Sequence, residues 1–106
     1  MGAFVHMILF SIKPAATEDL VARIRSTLEA LELAKTPGLL GSAILVSEDE
    51  ARVALVSEWN DRNAWGHAQW DERVQDSVVD LYRAAEQLES QSYNEAFRSD
   101  ATPDPR

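Results

Sequence analysis

The chain has 106 residues, 45% of them hydrophobic and 26% charged, which excludes disordered and collagen-like classes and fits one soluble globular domain. Eighteen acidic against ten basic residues give a net charge of −8. The bases are scattered from Lys13 to Arg106 without a run, so neither a nucleic acid nor a membrane surface is an expected partner.

The apolar opening MGAFVHMILFSI lacks a basic leader region and is too short to cross a bilayer, so it reads as a strand of a cytoplasmic protein. Residues 3–12 form this first strand, closed by Lys13-Pro14. Phe4, His6, Ile8, Phe10 and Ile12 share one face and Val5, Met7 and Leu9 the other, both largely apolar. Thr17 is the expected cap of a helix with Glu18 and Asp19 in its first turn and Leu20, Ile24, Leu28 and Leu31 at helical spacing. This helix ends near Lys35, stopped by Thr36-Pro37-Gly38. Two β-prone runs, 41–48 and 52–59, flank the polar stretch Ser47-Glu48-Asp49-Glu50 and predict a hairpin. Asp61 can cap a short helix carrying Ala64, Trp65 and Ala68, and Asp71 a longer one with Val74, Val78, Leu81, Ala85 and Leu88, as one helix or two. Alternation over Gln91 to Phe97 suits a last strand, and residues 98–106 read as a disordered tail.

The order β-α-β-β-α-β is the ferredoxin-like α+β plan, a four-stranded antiparallel sheet with helices on one face, here in a domain over residues 1–97. That plan leaves one sheet face bare, and the first strand is apolar on both faces while the 52–59 run has Val53 and Leu55 on one side and Ala54 and Val56 on the other, so a second copy of the chain is the expected partner and a homodimer the expected state.

Lys13-Pro14 after the first strand, Pro37-Gly38 before the hairpin, and Val56-Ser57-Glu58-Trp59 followed by Asn60-Asp61 together resemble the dimeric α+β barrel superfamily over about residues 3–97. The closest resemblance is to its antibiotic biosynthesis monooxygenase branch. It implies a cofactor-independent monooxygenase acting on a small aromatic or quinol-type substrate, with Trp59 at the pocket and Trp65 where such enzymes can have a tyrosine. Leu55 stands where quinone-forming members have an asparagine. The first strand has no asparagine, which sets the chain apart from the haem degraders of the superfamily. His6-Met7-Ile8-Leu9-Phe10 also resembles the start of the stress-responsive A/B barrels, which implies the alternative of a polyketide cyclase-type enzyme or a non-catalytic small-molecule-binding dimer.

Cofactor-free oxygen chemistry needs a base, a dry pocket and donors for a developing oxyanion. His6, on an apolar face with Ile8 and Phe10, and His67, two residues beyond Trp65, are the two candidate bases; the alternative for His6 is a hydrogen-bonded core histidine and for His67 a solvent-facing position. Trp59 and Trp65 are expected to hold a flat aromatic molecule, with Ile8, Phe10 and Tyr82 completing the pocket, and the same tryptophans would equally serve as core. No cysteine and only two histidines, without helical pair spacing, leave no metal site to expect. With four glycines and no glycine-rich phosphate loop, no nucleotide or flavin cofactor is expected either.

Overall fold

A computed structural model describes residues 3–33 and 36–99. The β-branched and aromatic opening run forms β1, Phe4–Ser11, and the helix that follows, α1, spans Thr17–Leu33. The hairpin is β2, Leu39–Val46, and β3, Arg52–Trp59. Two helices come next, α2, Arg62–Gln69, and α3, Glu72–Ala84, then β4, Gln87–Asn94. The strands pair antiparallel in the order β2-β3-β1-β4, the ferredoxin-like arrangement with the helices on one face. Among the described residues no helix is long and apolar enough to cross a membrane.

Thr17 does not cap α1. A 3-10 turn, Pro14–Ala16, runs directly into the helix, so Thr17 already has helical backbone angles, and its hydroxyl donates to the Glu50 carbonyl of the β2–β3 turn. The cap-like residue is instead a tie between helix start and hairpin. The predicted end near Lys35 and the side chain of Leu31 lie outside the described residues.

The two aspartates separate α2 from α3. Asp61 accepts the Ala64 N–H at 2.8 Å and Asp71 accepts the Arg73 N–H at 2.9 Å, each satisfying a donor left open by its helix start. The apolar stripe of α3 stops at Leu81: Ala85 is its C-cap, and Leu88 belongs to β4, opposite Phe10. The last strand therefore starts four residues earlier than the Tyr93 and Phe97 alternation predicts, and both of those rings are exposed. Residues 100–106 of the predicted tail lie outside the described residues.

Register fixes the two faces of the sheet. On β1, Phe4, His6, Ile8 and Phe10 stand opposite Trp59, Ser57, Leu55 and Val53 of β3, and this set faces the helices. The main core joins Ile8, Phe10, Val53 and Leu55 to Leu20 and Ile24 of α1 and Leu81 of α3. A separate, smaller cluster of Phe4, Trp59 and Ala68 lies under α2. The opposite face carries Val5, Met7 and Leu9 against Glu58, Val56 and Ala54, with Leu45 and Tyr93 about half exposed at 55% and 49%.

Gly38 anchors α2 to the sheet. Its φ of +80 is a left-handed value that side chains resist, and a Cβ there would lie 2.3 Å from that of Ala64. The Asn60 N–H donates to the Gly38 carbonyl at 2.9 Å.

Candidate functional site

A cavity of about 70 Å³ lies between the helix-facing side of the sheet and α1, α2 and α3. Leu55, Val74 and Val78 are among its apolar walls, and among the described residues no carboxylate, lysine or arginine lines it. It adjoins a wider hollow of about 340 Å³ at the β4 edge, and His6, Trp65, Gln69 and Tyr82 line both spaces. The inner space alone is smaller than a ligand-sized pocket of about 300 Å³ or more, which only the adjoining hollow supplies.

His6 is brought here by strand alternation, two residues from Ile8 on the helix-facing side of β1. Its Nδ1 is 3.1 Å from Ser92 Oγ, directly across the β1–β4 ladder. With Nδ1–H donated to that hydroxyl, Nε2 is left as the acceptor nitrogen. The ring is half-buried and stands 5.0 Å from the Trp65 ring. Burial pushes its pKa below the ordinary 6.5, so the imidazole is neutral and basic at pH 7.

This shift has a consequence for stability. Below pH 6.5 the unfolded chain takes up a proton at His6 that the folded chain resists, so stability is full above 6.5 and falls as pH drops toward the lowered value. The expected result is a urea midpoint that declines between about pH 7.5 and 5.5 in the wild type and declines less in His6→Gln. Equal slopes would show that His6 is not the buried titrating group.

Trp59 ends β3 and is 6% exposed. Its indole N–H donates to Ser57 Oγ at 2.9 Å, and the Ser57 hydroxyl donates in turn to the His6 carbonyl at 3.4 Å. Trp59 therefore offers the cavity a ring and no free donor. Trp65, on α2, lies 5.5 Å from Phe4 and 5.0 Å from His6. Its indole nitrogen is buried and has no hydrogen-bond partner among the described residues.

Among the predicted site residues, the structure brings His6, Ile8, Trp59, Trp65 and Tyr82 to one cavity. Phe10 shares their sheet face but is fully buried in the main core, outside the cavity lining. His67 is exposed and does not line that cavity; it lines a surface hollow with Arg62, Asn63, Trp65 and the 82% exposed Trp70. Ser57, Gln69 and Ser92 also line the two spaces without being among the predicted site residues. Ser57 carries a signal, being two residues before Trp59 on one strand face. Ser92 meets His6 only through the ladder register, for which the sequence carried no signal.

The sequence profile of the family described as antibiotic biosynthesis monooxygenase matches residues 3–78. No curated protein matches the chain. Solved structures do. A candidate antibiotic biosynthesis monooxygenase of Nitrosomonas europaea superposes with TM-score 0.73 at 19% identity, covering 94% of this chain and 97% of that one. A second such candidate, from Caulobacter crescentus, gives TM-score 0.76 at 11% identity over 91% and 92%. A Shewanella oneidensis protein gives 0.73 at 22% identity over 89% and 91%. At these identities the structural likeness is one of fold.

Proposed function

Because the chain belongs to the antibiotic biosynthesis monooxygenase family, we propose that its cavity oxidises a small, flat, hydroxylated aromatic or quinol-type compound with dioxygen and without a cofactor. The observation that carries this reading is His6, a neutral histidine in a largely apolar cavity beside two indole rings. Its Nε2 takes a proton from the substrate, and the charge left behind spreads into the ring and onto oxygen. Dioxygen then bonds to the electron-rich carbon. For a ring CH₂, loss of both hydrogens with one oxygen atom as water leaves the other oxygen as a new carbonyl, so no external reductant is needed. Trp59 and Trp65 hold the ring flat and exclude water from the anion. The test is oxygen uptake on a panel of quinols and anthrones, with one dioxygen expected per oxygen atom inserted into the substrate. No uptake above buffer on any member would reject the oxygenase reading.

A second reading is favoured by one observation: His6 and Tyr82 line the same cavity, as a cyclase related to the stress-responsive A/B barrels would need of its base and donor. Rigorous exclusion of oxygen separates the two, since ring closure continues under nitrogen and oxidation stops.

The same reading has two copies of the chain joined through the uncovered sheet face, where Val5, Met7, Leu9 and Val56 remain only partly covered. Light scattering is expected to give twice the chain mass of 11.8 kDa. Met7→Asp, which puts a charge at the centre of that face, should shift the protein to monomer or unfold it. A wild type that is monomeric at micromolar concentration would rule the assembly out.

A further inference from the structure

The cavity changes chemistry between its inner end and its mouth. Inside, the space of about 70 Å³ is walled mainly by aliphatic and aromatic side chains and is smaller than a whole ligand needs. The adjoining hollow of about 340 Å³ adds Ser90, Gln91 and Ser92 of β4 to Gln69 and Tyr82, a wall of amides and hydroxyls. Ser92 Oγ is taken up by His6. The side-chain amides of Gln69 and Gln91 and the hydroxyls of Tyr82 and Ser90 have no partner among the described residues. Each amide brings two donors and an acceptor oxygen, and each hydroxyl both donates and accepts.

This wall is also uncharged: among the described residues no lysine, arginine or carboxylate lines either space. A carboxylate or phosphate placed there would lack a counter-charge, in a chain whose net charge is −8. The group that matches neutral donors and acceptors in equal supply, beside the face of the Trp65 ring, is a polyol, whose hydroxyls bond to the wall while its C–H edges lie against the indole.

We propose that the mouth of this cavity is a subsite for a neutral polyhydroxylated substituent, such as a hexosyl group, carried by an aromatic ring that enters the inner space, and that it discriminates against substituents bearing a carboxylate or phosphate. The proposal rests on the reading above for the place of the ring, adds the chemistry of the other end of the molecule, and does not depend on the reaction. Two or three neutral hydrogen bonds exchanged for those of water are worth about tenfold or more in affinity.

The probes are phenyl β-D-glucoside; phenyl β-D-glucuronide, which exchanges the sugar's CH₂OH for a carboxylate; and anisole, which keeps the ring and its ether oxygen without the hydroxyls. They are titrated under nitrogen at neutral pH by ligand-detected NMR. The wild type should bind the glucoside about tenfold or more tightly than anisole and about fivefold or more tightly than the glucuronide. Gln69→Leu and Tyr82→Phe remove a hydrogen-bonding group and keep most of the side chain, and both positions are exposed, so the core is left alone. Each should weaken the glucoside about threefold or more and leave anisole within about twofold of wild type. A wild type that does not prefer the glucoside to anisole, a glucuronide bound as tightly as the glucoside, a glucoside affinity that survives both substitutions, or no binding of the glucoside would each overturn the proposal. Selective binding without oxygen uptake on any quinol would reject the oxygenase reading and keep this one; uptake without selectivity would do the reverse.

Discussion

Replacing His6 by alanine is expected to slow oxygen consumption on a responsive quinol by about a hundredfold or more, the share a positioned general base contributes, while His67→Ala stays within about twofold of wild type. The contrast follows from placement. His6 lines the cavity and its mouth, whereas His67 is exposed and borders a different hollow. The wild-type rate should also rise with pH through a pKa below 6.5, because burial disfavours the imidazolium, and should be level around neutrality. Circular dichroism of both variants separates loss of the base from loss of the fold. A slower His67→Ala, or an acid limb above 6.5, would remove His6 from the base role.

Gly38→Ala is expected to destabilise the protein by about 3 kcal/mol, roughly 12–24 °C in Tm for a domain of this size. Two causes add. The left-handed backbone at φ +80 disfavours any side chain, and the new Cβ would lie 2.3 Å from Ala64 on α2. Gly38→Asn separates them, since asparagine tolerates the backbone angle and still collides with the helix. Thermal denaturation should show both variants well below wild type. A near-neutral Gly38→Asn would show that α2 yields to the clash and that the backbone angle alone matters. Gly38 thus fixes how closely α2, with Trp65, approaches the sheet.

The fold was legible because local and global signals agree in most segments. β3 occupies 52–59 as its apolar run predicts, and each aspartate before a helical stripe caps a helix. Expectation and structure part where one residue satisfies two patterns. Leu88 continues the helical spacing of Val74 and Leu81, yet its apolarity serves the sheet face opposite Phe10. Thr17 fits a cap, but Pro14 starts the turn earlier and moves the helix start away from it. The site was legible only in part. Alternation along β1 places His6 correctly on the helix-facing side, but depth along the strand decides that Ile8 lines the cavity and Phe10 does not. Contacts such as His6 with Ser92 are set by strand register, which a lone sequence does not declare.

The division of the interior into two clusters has a consequence for motion. Among the described residues the main cluster holds eight buried side chains and the smaller one three, under α2. An eight-residue helix is too short to persist without its tertiary contacts, and separating α2 from the sheet exposes far less apolar area than melting the main cluster. Opening there is therefore a sub-global event with a free energy below that of complete unfolding. Amide hydrogens of α2 will exchange with solvent faster than those of β1 and β3, which must await the global transition. Since Trp65 rides on α2, this opening also widens the 70 Å³ cavity, so a bulky ring can enter without disturbing the strand that carries His6.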